Sequence, residues 1–381
     1  MIRSEERILT THTGSLPRPE DLIQMMFAAM EGVPVDKAAL AARIKSAVQE
    51  VVDKQRAAGV DIVNDGEMSK PSYATYIKDR LTGFGGESVP VPYQDLVEFP
   101  AMGQRVFGDR GRSRRKTPGC NAPIELADRQ AALDDVANIE AAFAGSGAAD
   151  RFMSAASPGV IALFFDDQHY GDFETYIFAI ADAMRYEYET IANAGITVQI
   201  DCPDLAMGRH MMYRELDIPE FRKRIGMHVA ALNHALENVD RDKVRLHLCW
   251  GNYEGPHHCD VPITDVIDIA MSAKVSGISF EAANPRHAHE YVAWENIQVP
   301  DDLVLIPGVI ESKSNFIEHP ELIAQRICRI AERVGREKVV AGSDCGYGTW
   351  VGQAAVEPDI VWAKLAAMSE GAGIATKKLW S

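Results

Sequence analysis

A (β/α)8 barrel is the fold class this sequence predicts, on three observations. Short β-rich runs alternate with longer amphipathic stretches along most of the chain, the rhythm of βα units that build a parallel sheet. About eight such runs are present, the number a closed barrel of this type needs. Ionisable and metal-capable residues recur where those runs end, which is the rim at which such barrels gather their sites. A doubly wound open sheet is the runner-up. No GxGxxG opens the first helix, so a dinucleotide-binding reading is weak. The chain reads as one domain over residues 1–381 with an insertion near 85–121.

The elements follow in order. Residues 8–12 form a first strand, broken by the Gly14 to Pro19 stretch. Residues 37–58 form a helix with an apolar stripe at Leu40, Ile44, Val48, Val51 and Val52. Gly59 stops it, and 61–64 is a short strand. Residues 152–156 are another strand. Residues 173–194 form a long helix that Gly195 ends. The strand at 197–201 leads to a helix at 219–239. The last third repeats the unit with little slack: strand 243–249, helix 263–273, strand 277–281, helical stretch 286–295, strand 303–307, helix 320–334, strand 338–343 and a closing helix at 356–370. The insertion is rich in Pro and Gly and carries the basic run Arg110-Gly111-Arg112-Ser113-Arg114-Arg115-Lys116. It reads as a solvated loop, or as a lid or clamp for an anionic group.

Composition narrows the function. Hydrophobic residues make up 46% of the chain, enough for a sizeable core. A net charge of -16 argues against general nucleic-acid or anionic-membrane binding, though a local basic cluster still suits a small anion. Six cysteines in 381 residues are too few for a disulfide scaffold. The polar start lacks an apolar signal segment, and no apolar run is long enough to span a bilayer. A cytoplasmic protein is the default expectation, and homo-oligomerisation stays open.

Several strand ends carry chemistry. The strand at 243 ends in His247-Leu248-Cys249, whose outer two side chains share one face because strand residues alternate. The strand at 277 ends in Glu281, a carboxylate in a buried-looking run that needs a cation, a proton or a charged partner. The strand at 338 runs into Asp344-Cys345-Gly346. One imidazole, two thiolates and one carboxylate suit tetrahedral Zn2+, and the thiolates argue against Mg2+ or Ca2+. Burial without a metal is the competing account of His247, Cys249, Glu281 and Cys345. Cys259 with His257 and His258 is a rival ligand set.

The motifs THTGSLPRP (11–19), NDGEM (64–68), QIDCPDL (199–205), HLC (247–249), ISFE (278–281) and SDCG (343–346) together give a specific resemblance. In their order and their place at strand ends, the chain resembles the C-terminal catalytic half of the cobalamin-independent methionine synthase family. That family is a (β/α)8 barrel. The resemblance implies zinc ligands at His247, Cys249, Glu281 and Cys345. It implies an acceptor-thiol site at the Gly14-Ser15 turn, Glu67 and Asp201, with the two acids gripping the amine of a homocysteine-type thiol. The implied partners are a small-molecule thiol and an alkyl donor.

Three departures stand out. The chain has room for one barrel where full-length members carry two. Cys202 follows Asp201 where the family has an acid. Lys313 stands about where the family has a catalytic His. Candidates for protonating the donor's leaving atom are therefore Lys313, Glu311, His12 and Tyr347, and Asp344 is placed to orient a metal ligand. Short relatives of the family include epoxyalkane:coenzyme M transferases, in which the same zinc grip opens an epoxide, and the basic run would suit their sulfonate or equally a polyglutamate tail. A methyltransferase served by a corrinoid protein, a metal-free decarboxylase of the uroporphyrinogen type and a non-catalytic zinc or thiol-binding module are the remaining alternatives.

Overall fold

The computed structural model describes every residue except 89–90, 115–116 and 354, so Arg115 and Lys116 of the basic run lie outside the described residues. Seven parallel strands follow one another round a sheet: β1 (Ile62–Asn64), β4 (Asp150–Ala156), β5 (Thr197–Asp201), β6 (Val244–Leu248), β7 (Gly277–Phe280), β8 (Val304–Ile310) and β9 (Gly342–Ser343). Residues 9–11 supply the eighth stave. Thr11 N–H donates to Ala341 O and Ala341 N–H to Leu9 O, both at 2.8 Å. On the other side Ile62 N–H donates to Thr10 O at 3.0 Å. The ring is thus joined between its first and last strands, which makes the fold a (β/α)8 barrel rather than an open sheet.

The first and last staves are less regular than the sequence predicts. Segment 8–12 makes a single parallel bridge at Thr10, and of 338–343 only Gly342–Ser343 pairs as a strand. The stretch 263–273 is a 3-10 turn, Ile263–Asp265, and a short helix α9 (Ile267–Met271), separated by Val266 at φ -129°. The stretch 286–295 holds one 3-10 turn, Glu290–Glu295, because the Asn284 side chain caps the N–H groups of Arg286 and His287. Among the long helices, α2 (Lys37–Ala57), α7 (Phe173–Asn193) and α8 (Ile218–Ala235) each start at an aspartate that accepts backbone N–H groups: Asp36, Asp172 and Asp217. Among the described residues no helix is long and apolar enough to cross a membrane.

Strand alternation decides what the barrel encloses. In β6, Arg245 and His247 share a face with Cys249, while Val244, Leu246 and Leu248 are buried in the main apolar core. Arg245 fills the barrel below the rim. It donates to Gln199 Oε1 (2.9 Å) and to His12 O (2.9 Å), with its guanidinium 3.5 Å from the centroid of the Phe152 ring. This charged layer is a floor, and the next inward residues form the site. The region 85–121 is built rather than featureless. β2 (Phe84–Gly85) pairs antiparallel with β3 (Gly119–Cys120), and between them lie two short helices, α3 (Gln94–Glu98) and α4 (Pro100–Phe107).

Candidate active site at the carboxyl rim

Three of the four expected ligands converge. The donor atoms of His247, Cys249 and Cys345 all lie within 4.8 Å of one another, and all three residues are buried. His247 Nε2 is 3.8 Å from Cys345 Sγ, and its Nδ1 is 3.3 Å from Ser279 Oγ on the neighbouring strand. A hydrogen bond from the Cys345 thiol, opposed by burial and helped by His247, draws Cys249 down to about 6. Burial, then the nearby Cys249, pushes Cys345 well above the usual thiol range. Burial disfavours protonated His247, but Cys249, Asp201 and Glu281 outweigh it and raise its pKa. Two sulfurs and an imidazole this close, with no disulfide between them, fit a borderline-soft cation.

Glu281 borders this cluster and is held by the protein. Its Oε1 is 3.5 Å from Cys345 Sγ and accepts the Trp250 N–H at 2.9 Å. Its Oε2 accepts from Lys313 Nζ at 2.8 Å and from Asn284 Nδ2 at 2.7 Å. Asp344 accepts the backbone N–H groups of Ala282, Ala283 and Asn284, each at 2.8 Å, and so fixes the turn after β7.

The cluster opens into a narrow cleft whose other wall contains Ser15, Glu67 and Asp201. Gly14 has φ +135°, and a Cβ there would overlap Ser154 Oγ and lie 2.9 Å from Glu67 Oε1. Only glycine leaves that approach open. Glu67 itself has φ +58°, an uncommon conformation for a non-glycine residue. Arg18 holds it there, donating to the carbonyls of Glu67 (2.9 Å) and Lys70 (2.7 Å). Glu67 Oε2 and Ser154 Oγ are buried without a hydrogen-bond partner. Burial, then the neighbouring Asp201, pushes Glu67 up to about 8. Asp201 accepts from Gln199 at 2.8 Å and is itself pushed up to about 6 by burial.

The four expected proton donors are each engaged by the protein. His12 Nε2 pairs with Gln55 Oε1 at 2.8 Å, and its Nδ1 accepts the Gly14 N–H at 3.1 Å. Burial lowers it to about 4, so it serves the barrel wall as a neutral ring. Glu311 accepts from Lys364, Ser314 and the Lys313 N–H. Tyr347 donates to Glu311 O at 3.2 Å. Lys313 is turned onto Glu281. None of these four is among the described residues lining the cleft. Cys202 is buried, and its thiol is pushed well up by that burial. In the rival set, His257 points inward to Asp260 and Tyr253 O, leaving His258 and Cys259 on the surface.

Sequence reasoning missed Arg112, Asn252 and Tyr93 as cleft residues. Arg112 was visible only as one charge in a basic run. Asn252 and Tyr93 sit in loops whose spacing carries no periodic signal.

Fold and rim together define a (β/α)8 barrel with a metal-capable site at its carboxyl end. Residues 166–370 match the family model described as "Cobalamin-independent synthase, Catalytic domain", and the chain belongs to that family. The chain is 25% identical to a methionine synthase of Saccharolobus solfataricus over 376 residues, covering 97% of this chain and 95% of that one. It is 24% identical to a methionine synthase of Thermococcus kodakarensis over 373 residues, covering 97% and 94%. Its fold is similar to a B12-independent methionine synthase from Shewanella sp. W3-18-1 in complex with selenomethionine, with a TM-score of 0.71 at 18% identity over 98% of this chain and 99% of that one.

Proposed function

We propose that this chain is a zinc-dependent thiol S-alkyltransferase that moves a methyl group onto a homocysteine-type thiol. The observation that carries the reading is the opposition across one cleft of the His247, Cys249 and Cys345 cluster and the unpartnered carboxylate oxygen of Glu67. Those three residues, with Glu281 as the fourth, would hold Zn2+. When bound, the ion supplies the polarisation that deprotonates a thiol at neutral pH.

The chain's own residues do the rest. Glu67 and Asp201 accept hydrogen bonds from the substrate amine, which fixes the carbon chain so that its sulfur reaches the opposite wall. Gly14 keeps that wall clear. Lys313 and Asn284 hold the outer oxygen of Glu281, and Asp344 holds the turn behind it. In the transfer a sulfur–carbon bond forms, the bond between that carbon and the donor's leaving atom breaks, and the leaving atom keeps the electron pair.

One observation favours a second reading, an epoxide-opening transferase acting on an anionic thiol. Arg112 lines the cleft, and its guanidinium donates to Asn252 O at 2.6 Å without a carboxylate partner among the described residues. Arg105, Arg110 and Arg114 nearby are instead paired with Glu254, Glu20 and Glu31. The test is elemental zinc analysis of wild type and Cys345→Ser, followed by assays that pair homocysteine and coenzyme M with methyl and epoxide donors. One rim equivalent of zinc, lost in the variant, together with methylation of homocysteine, supports the first reading. Turnover only of coenzyme M with an epoxide moves the second forward. A wild type that takes up no zinc at the rim removes both.

A further inference from the structure

A second cluster of metal-ligating side chains lies outside the cleft. Glu98, the last residue of α3, faces His258 and Cys259 in the loop after β6. His258 Nε2 is 3.0 Å from Glu98 Oε2, Cys259 Sγ is 3.9 Å from Glu98 Oε1, and the donor atoms of all three lie within 4.8 Å of one another. His258 and Glu98 are 38% and 49% exposed, so an ion would reach them from solvent and keep water on its open side.

The loop that carries two of these donors is held from beneath. His257 has φ +53°, a conformation rarely taken by a residue with a side chain. Its ring is fixed by Asp260 (2.9 Å) and Tyr253 O (3.0 Å), and its N–H donates to Asp95 Oδ2 at 3.0 Å. Arg286 donates to His258 O at 3.2 Å, and the Phe99 ring meets His258 edge-on at 5.7 Å. His257 is therefore spent on anchoring, and His258 and Cys259 are presented outward. Asp95 and Glu98 are three residues apart on α3, so one helix grips the loop from inside through Asp95 and meets its outer donors through Glu98.

We propose that Glu98, His258 and Cys259 form a second site for a borderline-soft divalent cation of the Zn2+ type, which clamps α3 to the loop after β6. One imidazole, one thiolate and one carboxylate leave a tetrahedral ion a water position. The -2 from thiolate and carboxylate balances the ion's +2. The thiolate discriminates against Mg2+ and Ca2+. The clamp bears on the cleft, because Tyr93, next to α3, lines it and packs on Tyr253 at 4.8 Å between ring centroids.

The test titrates the chelator-stripped full chain with Co2+ and follows sulfur-to-cobalt absorption. Wild type should take up two equivalents. Cys259→Ala and, separately, His258→Ala should weaken only one of them, by more than the roughly 10–100-fold typical of losing an outer-shell partner. Cys345→Ser should abolish the other and spare this one. Hydrogen exchange across 94–107 should slow as the second equivalent binds. A wild type that saturates at one equivalent, or a second equivalent unchanged in both Cys259→Ala and His258→Ala, overturns the proposal. Retention of both equivalents in Cys345→Ser would count against the rim site while leaving this one standing.

Discussion

The two walls of the cleft solve opposite problems. On the wall from β6, β7 and β9, polar groups are heavily cross-connected: Glu281 accepts from Trp250, Lys313 and Asn284, and Asp344 accepts three backbone N–H groups. On the wall that carries Glu67 and Asp201, Glu67 Oε2 is buried with no partner, and Glu67 keeps a strained backbone. A buried polar atom without a partner costs about 1–3 kcal/mol. One wall is finished by the protein, and the other is left for a ligand to finish. Under the proposed function, the first wall would hold the ion and the second would recognise the substrate.

The largest effect expected is on the finished wall. Cys249→Ala or Cys345→Ser should abolish metal binding at the rim and S-alkylation together while leaving the far-ultraviolet circular dichroism unchanged. Retained rim metal in both would break the distinction between the walls. Lys313→Met should destabilise the metal-free chain by about 3–5 kcal/mol, since it leaves Glu281 as a buried charge without its counterion. Denaturant melts with and without zinc check this, and zinc should recover part of the loss.

On the recognition wall, Glu67→Gln should raise the homocysteine Kd by about 10- to 150-fold, the worth of a hydrogen bond to a charged group, with rim metal content unchanged. Calorimetry should show no such loss for a thiol that lacks an amine. A loss of metal in Glu67→Gln would mean that the walls are not independent.

The smallest effect concerns pH. Burial disfavours protonated His287, but Asp260 and Glu290 outweigh it and raise its pKa to about 9. A histidine raised on folding adds stability that is complete below its unfolded value of about 6.5 and fades as pH rises through about 9. Wild type should therefore lose stability across that window, and His287→Asn should show a shallower slope in thermal melts.

The same contrast explains what the sequence revealed. Strand alternation put His247 and Cys249 on one face, and strand ends brought Cys345 and Glu281 to the same rim, because those facts depend on local periodicity. The barrel was legible for the same reason, although residues 9–11 join it by a single bridge and β9 is two residues long. The pairing of Lys313 with Glu281 was not legible, since it joins two loops 32 residues apart and depends on how each loop turns. Lys313, Glu311, His12 and Tyr347 read as proton donors from type and position alone, whereas the partners that engage them, Glu281 for Lys313 and Gln55 for His12 among them, come from elements distant in sequence. α3 and α4 were hidden inside 85–121 because short helices among Pro and Gly give too few turns for an apolar stripe to emerge.

The most direct test of the central claim is the absorption of the Co2+-loaded chain on adding homocysteine. The part of the sulfur-to-cobalt absorption that belongs to the rim ion should grow by about half in wild type, as a third thiolate joins those of Cys249 and Cys345, and no growth is expected in Cys345→Ser, where the rim ion should be lost. A wild-type spectrum that homocysteine leaves unchanged, at concentrations that saturate binding, would contradict the assignment of the rim cluster to thiol activation.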